Sequence, residues 1–341
     1  MLTLLVSIIL PIGASASSHT CGTSVVGGIE MGVLTEYLFV FADGSDDLNW
    51  QGSTKGYVGD VLVNGRVADE RTSGSVPYAG TIVTNDSTLD DWQDIVDQNK
   101  GQASAKYDQQ AAVDCAIESL NKAFDQINEM KPTQGYEDMS TEDLDGLDTT
   151  DDQGLTYVVN VTSDLTVKTK IDITGDKGDV FILRWDKDGD PSNGYQGKVK
   201  FQSGGAFVPH GGLTPTSFIN VAGDINASGG GDNPGPPYPQ GPRLDGGLGE
   251  LIDGGKDFKS GGFFTGYWLT TGDPKSGKTS SLSSGIFVGG WYTLSSKISM
   301  TSNTSAVYVG PSSGGPPPTT TTSTTTTSTT TSTTTTTMLQ G

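Results

Sequence analysis

Apolar residues along this chain change their period twice, and the changes divide it into strands, a helix and strands again. Up to residue 84 they come in short runs, Tyr37-Leu38-Phe39-Val40-Phe41 and then Tyr57-Val58-Gly59-Asp60-Val61-Leu62-Val63. The turn dipeptides Asp43-Gly44 and Asn64-Gly65 stop these runs, so the segment predicts short β-strands. Ser87 or Thr88 caps a helical start, with Asp90 and Asp91 in its first turn. After Gly101 the apolar positions Val113, Ala116, Ile117, Leu120, Ala123, Phe124, Ile127 and Met130 recur at steps of three and four. That spacing predicts a helix over 103–130, roughly 40 Å long, stopped by Pro132. From Leu155 the period returns to two. Leu165, Val167, Ile171 and Ile173 alternate with Thr166, Lys168, Lys170 and Asp172, giving an apolar inner side and a polar outer one. Asp179-Val180-Phe181-Ile182-Leu183 is another apolar strand, and Val221-Ala222-Gly223-Asp224-Ile225 echoes Val58-Gly59-Asp60-Val61.

A seven-residue pattern, F-x-G-x-W-x-T, then occurs twice: Phe264, Gly266, Trp268, Thr270 and Phe287, Gly289, Trp291, Thr293. The chain holds five tryptophans, and two of them share this register. A period of about 20–25 residues is that of one β-solenoid rung, whose apolar side chains are buried only by stacking on the next rung. Trp268 and Trp291 then read as core stacking, with a carbohydrate-stacking platform formed with Tyr267 and Tyr292 as the alternative.

Composition adds an address. Leu4 to Ile12 is a short apolar run and Ala14-Ser15-Ala16 a small-x-small cleavage site, so residues 1–16 read as a secretory signal, although its positive n-region is missing. No apolar stretch is long enough to span a bilayer. With 48 Gly and a net charge of -20, the chain is a poor match for nucleic acid or anionic membranes. In a secreted chain the two cysteines, Cys21 and Cys115, suggest one disulfide tying the N-terminal segment to the helix; two unpaired thiols are the alternative. Asn85, Asn160, Asn226 and Asn303 head N-x-S/T sequons, candidate glycosylation sites. Glu137 to Asp152 carries eight acids and no base and reads as a solvated, mobile loop. From 310 to 341 a Pro/Thr/Ser tract follows that cannot build a core and reads as a mucin-like stalk. The folded part is thus 17–309.

Taken in order, these elements resemble the ice-binding-like β-solenoid family and, more loosely, choice-of-anchor A adhesive domains. The resemblance runs over about 30–309. It starts at Leu38-Phe39-Val40-Phe41 and Gly56-Tyr57-Val58-Gly59-Asp60-Val61, and passes through the single long helix. Leu165-Thr166-Val167, Gly178-Asp179-Val180-Phe181-Ile182-Leu183 and Phe218-Ile219-Asn220-Val221-Ala222-Gly223-Asp224 follow, and it closes at Phe264-x-Gly266 and Gly289-x-x-x-Thr293-Leu294. It implies a mostly β fold: a right-handed, irregular β-solenoid of triangular section with one long α-helix packed alongside. It also implies that one flat face rich in Thr, Ser and Ala can bind ice, while other relatives are adhesive. Lys168, Lys170 and Asp172 depart from that pattern, because long charged side chains stay hydrated.

Threonine suits such a face because its χ1 is stiff and it offers a methyl beside a hydroxyl. Thr270, Thr271, Thr293, Ser295, Ser299 and Thr301 come nearest to a ladder and are the candidate contact residues for ice or another extracellular surface. Asp186, Asp188 and Asp190 resemble the start of a Ca²⁺ loop, but Pro191 and Gly197 stand where an EF-hand needs Gly and Glu; a plain acidic turn is the alternative. No other cofactor is indicated. His210 has no nucleophile signature around it. The function expected is therefore a secreted, non-catalytic binding or adhesion module whose partner is ice, a glycan, a cell surface or another copy. A structural coat or filament subunit is the second class, and a polysaccharide-active enzyme the third.

Overall fold

The structure is a computed structural model. It describes residues 21–43, 48–50, 56–65, 76–89, 92–150, 154–202, 205–227, 263–272, 279–283, 285–295, 297–300, 304–308 and 310. The signal segment, the 311–341 part of the stalk, Thr301 and Asn303 lie outside these.

Short strands joined by tight corners wind into a β-solenoid with three faces, and every neighbouring pair along a face is parallel. The first face holds Thr156–Val161, Val180–Trp185, Phe218–Ala222, the second halves of Phe263–Thr270 and Gly285–Thr293, Phe39–Phe41, Val61–Val63 and the end of Tyr78–Thr84. The second holds Lys170–Gly175, Ala206–Gly211, the first halves of Phe263–Thr270 and Gly285–Thr293, Thr304–Val307, Gly56–Val58 and the start of Tyr78–Thr84. The third holds Thr166–Val167, Lys198–Phe201, Asp224–Ala227, Thr279–Leu282, Lys297–Met300 and Leu48–Trp50.

The rungs do not stack in chain order. Phe39–Phe41 pairs with Trp291–Thr293, so the first rung of the chain lies against one of the last. Rungs after Phe39 wind towards one end, and those after Thr156 start from the other and wind back to meet them. The segment between has to travel the length of the body, and a helix does this.

Stacked aromatics fill the interior. Tyr157, Phe181 and Phe218 follow one another with ring centroids 5.1 and 5.6 Å apart, and Trp185 stacks on Trp268 at 6.1 Å. Trp268 and Trp291 are register partners and fully buried, as their repeat predicted. The indole N–H of each of these two finds an acceptor: Trp268 donates to the Thr265 carbonyl at 3.0 Å and Trp291 to Thr270 Oγ1 at 3.2 Å. The glycine of the repeat has a backbone reason. Gly266 and Gly289 turn the corner from the second face to the first at φ 104° and 149°. They lie so close that a Cβ on Gly289 would sit 2.0 Å from the Gly266 carbonyl oxygen.

The helix α2 spans Gln110–Glu129, shorter than the 103–130 expected. Ala103–Lys106 is instead a strand pairing with Gly80–Val83, and its alternating exposure carries the period of two. Asp108, at φ 54°, makes the turn between them. Leu120, Ala123, Phe124 and Ile127 of α2 are buried against outward residues of the first face, Val40, Leu62, Val158, Ile182, Ile219, Tyr267, Leu269 and Tyr292. Arg184 reaches up from that face: its Nη1 donates to the Ile127 and Met130 carbonyls at 3.3 and 3.0 Å, and its Nε to Asn160 at 2.7 Å. A buried cation thus caps the carbonyl end of the helix. Cys21 and Cys115 are bonded, S–S 1.99 Å with Cα atoms 5.0 Å apart, so the N-terminal segment is fastened to α2. None of the helices among the described residues is long and apolar enough to cross a membrane.

The acidic stretch is not the solvated loop its charge suggested. Thr133 and Met139 donate from backbone nitrogens to the Val158 and Asn160 carbonyls at 2.9 and 2.8 Å, and Asn160 and Thr162 donate back to Tyr136 and Met139. Leu147–Asp148 pairs with Ile173–Thr174, and Leu144 is buried in the core. The acids Glu142, Asp143 and Asp145 face outward, while the backbone closes the free edge of Thr156–Val161 and Lys170–Gly175. At the other end α1, Gln93–Gln98, plugs the core with Ile95 and the preceding Trp92. The helical start read at Ser87 or Thr88 begins later, because Asp86 Oδ1 takes the Ser87 and Thr88 amides into a turn.

Candidate binding face

Of the three faces, the third is the most open. The first lies under α2. On the second, the outward residues Val58, Ala79, Thr265, Ile286, Val288, Ser305 and Val307 alternate with core residues, yet each is buried. At the Lys170–Gly175 and Ala206–Gly211 end of that face Lys170, Asp172 and His210 do reach solvent, whereas on the third face the outward side chains do so from strand to strand.

Strand alternation fixes which residues those are. Val167, Val199, Phe201, Ile225, Ala227, Leu282, Ile298 and Met300 enter the core, so Thr166, Lys198, Lys200, Asn226, Ser281, Lys297 and Ser299 point out. Pairing then lines up one row across the strands: Thr166, Lys200, Asn226, Ser281, Ser299 and Asn49 are successive register partners. Parallel strands hold such a row at about 4.8 Å per step. Lys200 stands toward one end of it and Lys297 in the adjoining row. Asn226, Ser281 and Ser299 between them form an uncharged stretch of small hydrogen-bonding groups.

The six contact residues read from the sequence are scattered by this geometry. Thr270 and Thr293 are buried and point inward, which removes them from any face. The repeat itself held the signal: Thr270 lies two residues after Trp268 and Thr293 two after Trp291, so a core tryptophan takes its threonine inward with it. Thr271 and Ser295 lie together at a corner, Ser295 Oγ donating to the Thr271 carbonyl at 2.8 Å. Ser299 alone stands in the open row, and Thr301 falls outside the described residues. Ser281 and Asn226 were missed as face residues. Leu282 and Ile225 beside them, apolar and core-facing, give the parity that could have found both.

Asp186, Asp188 and Asp190 do not converge as a cation site, and among the described residues no group of three or more acidic, His or Cys side chains could hold a metal. They tie down their own turn instead. Asp186 Oδ1 accepts from the Gln196 amide, and Asp188 accepts from the Asp190 amide, Asn193 and Gln196. Asp190 caps the short Pro191–Asn193 helix through Ser192. Asp186 is 2% exposed and its Oδ2 has no hydrogen-bond partner. Burial, and then the neighbouring Asp188, push its carboxyl up to about 6, while the Asn193 amide holds Asp188 below the usual range.

Tyr267 and Tyr292 stack 6.1 Å apart beneath α2, so with the buried tryptophans they offer no open platform for a sugar. His210 Nε2 lies 2.7 Å from Asp172 Oδ1 on the second face, an exposed pair of neighbouring strands. The sequons also separate. Asn160 is buried and accepts from Arg184, and Asn85 gives both amide protons away, to Asn64 and Gln110. Asn226 lies half-buried in the open row.

No family model matches the chain, and no curated protein matches it either. Several solved structures are similar to it. The crystal structure of an ice-binding protein from an Antarctic biological consortium is 14% identical, with a TM-score of 0.46 over 84% of this chain and 94% of that one. The ice-binding protein 1 domain of Shewanella frigidimarina is 13% identical, with a TM-score of 0.47 over 82% and 98%. A glycosylated ice-binding protein from an Arctic yeast is 14% identical, with a TM-score of 0.41 over 84% and 96%.

Proposed function

We propose that this chain is a secreted, non-catalytic binding module that uses its third face to hold an ordered or repetitive surface, with ice as the first ligand to test. The observation that carries the reading is the row Asn226–Ser281–Ser299, uncharged, in register and facing solvent, where the first face lies under α2 and the solvent-reaching end of the second carries Lys170, Asp172 and His210. Hydrogen-bonded waters sit about 2.75 Å apart, and tetrahedral geometry puts second-neighbour oxygens roughly 4.5 Å apart. A ladder stepping at about 4.8 Å can therefore hold waters at nearly that repeat, one per rung. The charged Lys200 and Lys297 bound the patch and confine the contact to its middle rungs.

Assembly through strand edges, the second class of function, is poorly served by this architecture. Backbone hydrogen bonds from residues 133–149 close one end of the first two faces, and the outer strands with a strand partner on one side, Ala103–Lys106, Thr166–Val167 and Leu48–Trp50, are each four residues or shorter. Thermal hysteresis and ice-recrystallisation inhibition of the purified chain test the reading. Activity is expected in the wild type and lost in Ser281→Lys at unchanged melting temperature. An inactive wild type would overturn ice as the ligand, and an active Ser281→Lys would overturn the choice of face.

A further inference from the structure

Four sequons would treat the molecule alike, but the fold does not. Attachment of a glycan replaces one Nδ2 proton of the asparagine by a bond to the anomeric carbon of an oligosaccharide, whose lipid-linked diphosphate leaves. The amide must therefore spare a proton and face outward. Asn160 fails on the second count, being 8% exposed and held through its Oδ1 by Arg184 under the end of α2. Asn85 donates one Nδ2 proton to Asn64 Oδ1 at 3.0 Å and the other to Gln110 Oε1 at 2.9 Å, while its Oδ1 accepts from the Gly65 amide. Asn226 differs: its side chain points out of the third face and makes no hydrogen bond among the described residues.

We propose that, of the three sequons at described positions, Asn226 is the N-glycan acceptor and that the glycan covers the binding row, so that occupancy switches the face off. Lys200 and Ser281 flank Asn226 in register, about 4.8 Å away on either side. An oligosaccharide rooted between them lies over the row in whichever direction it leans. The switching rests on the reading of the third face given above; the choice of acceptor does not. Carrier and blocked surface are the same residue, so the unmodified and modified chains are two functional forms of one sequence.

The full chain is made in a secretory host that N-glycosylates, beside Ser228→Ala, which destroys the sequon and leaves Asn226 in the row. Enzymatic deglycosylation in heavy-oxygen water with peptide mapping should mark Asn226, leaving Asn85 and Asn160 unmarked. A secreted chain with Asn226 unmarked, or a folded one with Asn160 marked, overturns the assignment. Amine labelling of Lys200 read by mass spectrometry should be several-fold slower in the glycosylated chain than in Ser228→Ala, and equal rates overturn the covering of the face. That readout needs no ligand. If ice activity is missing from both forms while Lys200 is shielded, ice is the wrong ligand, and the acceptor and the covering of the face stand.

Discussion

The first and third faces are made from the same rungs, yet they end in opposite surfaces. Both send alternate side chains into one core. What differs is the outward set: Val40, Leu62, Val158, Ile182, Ile219, Leu269 and two tyrosines on the first face, Thr166, Lys200, Asn226, Ser281 and Ser299 on the third. An apolar outward row needs a cover, and the chain supplies α2, pinned by Cys115 at its first half and by Arg184 at its last carbonyls. A polar outward row needs none. The sheet is the same scaffold in both places, and the outward residues alone decide which side packs and which is free to bind.

That contrast breaks most easily at the helix. Leu120 is fully buried between α2 and the first face, so Leu120→Ala should cost about 3 kcal/mol, and more if α2 cannot settle. Ser299→Ala on the open face should stay within about 0.5 kcal/mol. Denaturant melts of the two variants decide the matter; equal losses would mean that the third face is covered too. Arg184→Met comes next. It keeps the length of the side chain but strips the Ile127 and Met130 carbonyls and Asn160 of their donor, for an expected loss of about 2 kcal/mol.

Much of the covered face was legible in the sequence, and the reason is chemical monotony. Residues with one job, such as Leu120, Phe124 and the paired tryptophans, repeat at the period of their element, and the two cysteines had only each other. Ala103–Lys106 was misread because alanines fit a helix and a strand equally, and only pairing with Gly80–Val83 chose between them. The acidic stretch hid for a different reason: its function as an edge cover lies in backbone hydrogen bonds, which side-chain charge does not report. On the open face the outward residues are small and polar, and such residues carry no period of their own. Ser281 is identified only by Leu282 beside it, and the register that sets it next to Ser299 and Asn226 comes from strands 18 and 55 residues away in sequence.

The turn holding Asp186 gives a finer test, because it packs Tyr195 against α2. Tyr195 lies 6.5 Å from the Phe124 ring and donates to Asn128 at 2.8 Å, so the turn belongs to the covered side. Burial raises the Asp186 carboxyl from its ordinary value to about 6. Between about pH 4 and 6 the native state then binds a proton that the unfolded chain does not, so stability rises as pH falls through that window. Above pH 6 the buried charge is a standing cost. Asp188 acts with the opposite sign, since a lowered carboxyl loses its contribution only at pH below the ordinary carboxylate range. Asp186→Asn should remove the rise between pH 6 and 4, with melting temperature against pH as the measurement. An unchanged slope would mean that Asp186 is solvated, and that the turn is not part of the packed side.

The smallest effect on stability should come with an effect on binding of the greatest diagnostic value. Ser281→Thr and Ser299→Thr add a methyl to neighbouring rungs of the open row and keep both hydroxyls. Outward on a strand, threonine loses little, because its branched Cβ suits the pleat, so the melt should shift by less than about 0.5 kcal/mol. Binding is another matter. Serine hydroxyls turn among several rotamers, and each must be fixed before a water can be held at a set place. Threonine arrives with a stiffer χ1, and its methyl fills the space between rungs, so the pair should raise thermal hysteresis above the wild type. The same pair of changes inside the core would be felt at once as overpacking. A gain in hysteresis with no change in the melt would place the active surface on the open side of this comparison. A destabilised variant, or a stable one with unchanged hysteresis, would show that Ser281 and Ser299 are neither free nor in contact with ice.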